Sequence, residues 1–162
     1  MACAGPSRPI GELHATLVSF TCLFYHSFGY IMGHMQTFEV AFEDGAMPEP
    51  HEIKTALFLS KHGKTVIFIA PKNQPGIKTP DIIMDGLQWE MKSPVSAGAR
   101  SIEHAFRSAI KQSSNIIFDL RASKASDRAN LAKINRQIAL IRGHDLKRVR
   151  VITKSGKMLD LK

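Results

Sequence analysis

From Pro48 onward the apolar residues of this chain fall into helical and strand-like rhythms that alternate along the sequence. Pro50 suits a first helical turn, Ile53, Ala56, Leu57 and Ser60 recur at helical spacing, and Gly63 is a good stop. Residues 64–70 are a continuous β-branched run, expected as a central strand buried on both faces. A loop rich in Pro and Gly, residues 71–78, leads into two short β-prone runs at 82–84 and 87–91, separated by Asp85-Gly86. That pair can supply the positive φ angles of a two-residue hairpin turn. Met84 then faces Leu87, Ile83 faces Gln88, Ile82 faces Trp89 and Asp81 faces Glu90.

After Ser93-Pro94 a helix is expected from near Ala99, with Ile102, Ala105, Phe106, Ala109, Ile110 and Ser113 as its inner stripe. Gln112 sits at the edge of that stripe, where it either reaches the hairpin past small neighbours or is an ordinary boundary glutamine. Residues 115–121 read as a second central strand. Asp127 is then expected to cap a helix built on Leu131, Ile134, Ile138 and Ile141, ending at Gly143. Residues 147–153 and 157–161 read as strands around a Ser155-Gly156 turn. The order predicts an α/β fold, a mixed central sheet with a β-hairpin flanked by helices, over residues 48–162. Residues 1–47 are expected to form an N-terminal extension with no assigned fold.

Alternation across the hairpin places Ile82, Met84, Leu87, Trp89 and Met91 on one face, which is wholly apolar and must be core. The other face carries Asp81, Ile83, Gln88, Glu90 and Lys92. Carboxylates directly opposite each other, with Cβ atoms about 5 Å apart, repel unless a cation or proton lies between them. Asp81 and Glu90 therefore form a candidate metal site, best suited to Mg²⁺, with Mn²⁺ or Zn²⁺ as alternatives. Lys92 on the same face can orient or deprotonate an attacking water, or neutralise charge on a phosphorane. A solvent-facing hairpin with hydrated charges is the plainer alternative, and the Asp-x₈-Glu-x-Lys spacing alone does not exclude it.

Charge sharpens the picture. The 162 residues carry a net charge of +8, but residues 100–162 hold 15 Lys and Arg against 5 Asp and Glu, whereas residues 1–99 hold 7 against 9. Such a basic half favours a polyanionic partner, nucleic acid first. Arg128, Lys133 and Arg136 on the penultimate helix, with Lys147, Arg148 and Arg150 beyond it, are the candidate phosphate contacts. Cys3 and Cys22, the only cysteines, suggest neither a disulfide framework nor a thiolate zinc site, in keeping with work in a reducing cytoplasm. The apolar stretch from Leu13 to Met32 is interrupted by His14, Ser19, Thr21, His26, Ser27 and Gly29, too polar for a membrane span of about 20 residues.

Glu52-x₃-Ala56-x₂-Leu59-x₃-Gly63, followed by a strand, Pro80-Asp81 and Glu90-Met91-Lys92, resembles the PD-(D/E)xK nuclease superfamily. Residues 79–94 and 109–121 resemble, more narrowly, the C-terminal tRNase domains of contact-dependent growth inhibition toxins, a likeness covering roughly residues 48–155. The resemblance implies a toxin that cuts tRNA in the cytoplasm of a target cell and is neutralised by a small immunity protein. It passes the metal-site roles to Asp81 and Glu90, the catalytic lysine to Lys92 and the first-helix acid, a further metal ligand, to Glu52. Gln112 matches the glutamine often found on the helix after the E-x-K strand, without the aromatic residue that can follow it. Such domains usually end a very long secreted protein. These residues include no such delivery region, which leaves a stand-alone copy as one alternative; the cytoplasm of the producing or target cell is the expected location.

Two other functions compete: a metal-independent, barnase-like ribonuclease using His51 or His104 as general acid or base, and a non-catalytic basic module that only binds nucleic acid.

Overall fold

A computed structural model describes residues 39–72, 78–98, 100–141 and 145–162. The segment through Phe38, the loop residues 73–77, and Ala99 and Gly143 at expected helix boundaries lie outside the described residues. The described residues form one seven-stranded mixed sheet whose strands lie side by side in sequence order. They are β1 (Val40–Phe42), β2 (Val66–Phe68), β3 (Ile82–Met84), β4 (Leu87–Lys92), β5 (Asn115–Asp119), β6 (Arg148–Ile152) and β7 (Met158–Asp160). This is the mixed α/β architecture expected from the sequence.

Among the described residues three helices cover the sheet: α1 (Pro50–Lys61), α2 (Ser101–Ala109) and α3 (Asp127–Leu140). On one face Ala56 and Leu59 of α1 pack with Val66, Phe68, Ile82, Met84, Trp89, Met91, Ile117 and Ile152. On the other, Ile102, Phe106 and Ala109 of α2 and Ile134 of α3 pack with Ile116, Phe118, Val149 and Val151. Strands β4, β5 and β6 run parallel, joined through α2 and α3, whereas β2, β3 and β4 alternate in direction. Each β-branched or aromatic side chain thus follows the period of two that assigns it to one helix layer.

Several boundaries differ from expectation for local reasons. Among the described residues the sheet begins at β1, ahead of residue 48, where three residues pair in parallel with β2. Strand β2 is next to the edge, and Ile67 is only half-buried between buried Val66 and Phe68, so it is not buried on both faces. Strand β5 is buried throughout. Helix α3 is capped by Ser126, whose Oγ accepts the Ala129 N–H, while Asp127 accepts the Lys154 N–H. Helix α2 ends at Ala109, so Ile110 to Gln112 form a turn instead of continuing the helix.

Candidate active site

The β3–β4 hairpin has the register that the Asp-Gly turn dictates: Met84 opposite Leu87, Ile83 opposite Gln88, and Ile82 opposite Trp89. Asp85 and Gly86 have φ values of 51° and 74°, the left-handed pair that a tight two-residue turn requires. Ile82, Met84, Trp89 and Met91 are buried on the α1 face, and the Trp89 Nε1–H donates to the Met84 carbonyl at 3.2 Å.

The ladder ends at Ile82, and Asp81 closes the hairpin mouth in a different way. Its N–H donates to the Trp89 carbonyl at 3.1 Å, and its Oδ2 accepts the Met91 N–H at 2.6 Å. Glu90 points to the α2 face and is 1% exposed. Its Oε1 accepts from Lys92 Nζ at 2.5 Å and also from Gln112 Nε2. Glu90 Oε2 is buried and has no hydrogen-bond partner among the described residues. The structure therefore joins Asp81, Glu90, Lys92 and Gln112 in one cluster. Gln112 reaches it from the turn after α2, not from the helix.

Burial, then repulsion from Asp81, pushes the Glu90 carboxyl up to about 7, against the lowering effect of Lys92. Burial also raises Asp81, aided by the Glu52 charge and opposed by the Met91 N–H and by Lys92. Two carboxyls that resist ionising together, one with an orphaned oxygen, need a proton or a cation between them. The donors are oxygens only, which suits a hard divalent ion that keeps several waters and leaves positions for a phosphate.

Glu52 lies at the start of α1, near enough for its charge to act on Asp81. Its Oε2 accepts the Glu49 N–H at 2.8 Å and so caps α1, although it faces Asp81 across a pocket of about 200 Å³. Among the described residues, no three His, Cys, Asp or Glu side chains are grouped to hold a metal by themselves. Two carboxylates are too few for a closed zinc site and sufficient for Mg²⁺.

The basic residues do not form one surface. Arg150 bridges to Asp160 at 2.6 and 3.0 Å and lies 5.5 Å over the Trp89 ring, on the opposite face from Glu90. Lys147 pairs with Asp145 at 3.2 Å, and Arg148 donates to Asn115 Oδ1 at 3.4 Å. Arg128 and Arg136 are exposed on α3, where Lys133 reaches the Gly98 carbonyl at 3.4 Å. His51 is on α1 and His104 on α2, helices that cover opposite faces, so they form no acid–base pair.

Sequence reasoning missed a second polar cluster where β5 ends. Asp119 Oδ2 accepts the Thr55 hydroxyl at 2.8 Å, and both Asp119 oxygens accept from Arg121. Burial pushes the Asp119 carboxyl up, but the bonds from Arg121 and Thr55 outweigh it and hold the group below its ordinary value. The available signal was an acid placed inside the apolar run of residues 115–120.

Among the described residues no helix is long and apolar enough to cross a membrane. The chain resembles a solved structure titled as a CdiA-CT/CdiI toxin and immunity complex from Burkholderia pseudomallei, with a TM-score of 0.57 and 24% identity over 76% of this chain and 98% of that one. No curated protein matches it. A family model described as the contact-dependent growth inhibition CdiA C-terminal domain matches residues 78–158, half of the chain, spanning the hairpin, α2, β5, α3 and β6. The chain therefore belongs to the contact-dependent growth inhibition CdiA C-terminal domain family.

Proposed function

We propose that this protein is a metal-dependent nuclease toxin of the PD-(D/E)xK type that hydrolyses RNA phosphodiester bonds, with tRNA as the preferred substrate. The observation that carries this reading is the orphaned Glu90 Oε2, buried beside Asp81 in a cluster completed by Lys92 and Gln112. Asp81 and Glu90 would hold a divalent cation, Mg²⁺ before Mn²⁺. Bound there, the ion would supply Lewis-acid polarisation of the phosphate and a more acidic water. Lys92 orients the nucleophile or offsets the charge that develops on the phosphoryl oxygens. Gln112 fixes the Glu90 carboxylate through Oε1, leaving Oε2 to face the site.

The preference for RNA rests on the resemblance of residues 79–94 and 109–121 to tRNase toxin domains and on the basic C-terminal half. The related solved structure pairs a toxin with an immunity protein, which supports a neutralising partner for this chain. The test is incubation of purified protein with total tRNA and with duplex DNA, each with Mg²⁺ and with EDTA. RNA cleavage abolished by EDTA is the expected result. Cleavage that survives EDTA would indicate a metal-independent ribonuclease, and binding without cleavage a non-catalytic module.

A further inference from the structure

A pocket of about 370 Å³ lies against α1 at the carboxyl ends of β4 and β5 and contains none of Asp81, Glu90, Lys92 or Gln112. Its size is that of a small-ligand site, and the carboxyl ends of parallel strands are where open α/β sheets tend to bind ligands. Lys54, Lys61, His51, Ser93 and Arg121 line it. Neither Lys54 nor Lys61 has an ion-pair partner among the described residues. Arg121 is held rigidly: Nε and Nη2 donate to Asp119, Nη2 donates to the Lys54 carbonyl at 2.9 Å, and its guanidinium lies 4.4 Å over the Phe58 ring. The Arg121 Nη1 has no partner among the described residues. Ser93 Oγ is buried and likewise unpartnered.

Asp119 is the acidic group in the pocket wall, and both its oxygens are taken up by Arg121 and Thr55. The Asp119–Arg121 pair is neutral as a unit, so Lys54 and Lys61 set the sign of the pocket. It offers two exposed cations, one fixed guanidinium and a hydroxyl without a partner among the described residues, the donor set of an oxyanion site.

We propose that this pocket is a phosphate subsite, holding a backbone phosphate of the polynucleotide with Lys54, Lys61, Arg121 and the Ser93 hydroxyl. The inference rests on the nuclease reading. Ser93 directly follows Lys92 and faces the opposite side of the sheet, so a strand rounding the ends of β4 and β5 meets both sites. The subsite positions the strand without reading its bases.

The experiment compares wild-type protein with the Lys54→Ala/Lys61→Ala double variant and with Ser93→Ala. The readouts are metal-free tRNA binding across a salt series and steady-state cleavage with Mg²⁺. Both lysines are exposed, and Ser93→Ala removes a hydroxyl that has no partner, so all should fold. The double variant should flatten the log–log salt slope by about 0.7–0.9 for each phosphate it no longer neutralises. Ser93→Ala, which changes no charge, should raise KM about tenfold with kcat held. A wild-type KM in Ser93→Ala, or a wild-type slope in the double variant, overturns the subsite while cleavage by the parent keeps the nuclease reading. Parent protein that neither binds nor cuts RNA overturns both. Inorganic phosphate that binds the pocket while both variants hold RNA as the parent does would assign it to a free anion, and would overturn the polynucleotide subsite.

Discussion

The backbone N–H of Met91 donates to Asp81 Oδ2 at 2.6 Å, so a side chain closes the hairpin where the strand ladder has stopped. Asp81 consequently has two separable duties, a neutral one as acceptor and a charged one beside Glu90. Asp81→Asn keeps an acceptor for Met91 and removes the repulsion, so its metal-free melting temperature should equal or exceed that of the parent, with cleavage abolished. Asp81→Ala should abolish cleavage and also cost about 1.5–3 kcal/mol of stability. Denaturant melts of the two variants check this, and equal destabilisation would show that the Met91 bond contributes nothing.

The raised Glu90 carboxyl predicts a pH dependence whose sign is fixed. Its folded value of about 7 lies above the ordinary 4.5, so the folded chain holds the proton more tightly than the unfolded one. This contribution is complete below about 4.5 and is lost as pH rises through about 7. In EDTA, thermal stability should therefore decline across that window. Glu90→Gln should flatten the decline, and Mg²⁺ should raise the melting temperature of the parent above pH 7 but not that of the variant. Melting curves across pH with and without Mg²⁺ measure all three effects.

Trp89 is 3% exposed on the face opposite Glu90. Trp89→Ala should cost about 3–5 kcal/mol through the cavity it leaves. An unchanged melting temperature would mean that the packing around Trp89 is not what holds the hairpin against α1.

The basic half divides into two classes. Arg150→Ala removes the Asp160 bridge and the cation over Trp89, so it should lower stability while leaving the salt slope of RNA binding unchanged. Neutralising Arg128, Lys133 and Arg136 together should leave stability nearly unchanged and raise KM for tRNA. It should also flatten the slope by about 0.7–0.9 for each phosphate left without its cation. Binding across a salt series, with melting as the companion measurement, sorts the two classes.

The sequence revealed the hairpin because its constraints are local: a two-residue turn fixes the register, and alternation then assigns every side chain from Asp81 to Lys92 to a face. Pairings across long chain separations were less legible. Helical periodicity carried α2 through Ser113, whereas the helix ends at Ala109 and a turn brings Gln112 to Glu90. The Thr55–Asp119 bond spans 64 positions and has no spacing signature. Arg150 read as a candidate phosphate contact because its counterion, Asp160, belongs to a short strand that pairs with β6 only in the fold. The part Glu52 Oε2 plays as a cap of α1 was not read from the sequence, which gave the residue only the role the resemblance implies. Strand β1, only three residues long, was too short to stand out from its surroundings.

Metal-dependent phosphodiester hydrolysis by the Asp81–Glu90–Lys92 cluster is the central claim. Its most direct measurement is single-turnover cleavage of tRNA with Mg²⁺ by the parent, Glu90→Gln and Lys92→Ala, with RNA binding determined on the same samples. Both variants should bind RNA with near-parent affinity and cut it at rates indistinguishable from background. Parent-like cleavage by either variant would contradict the claim.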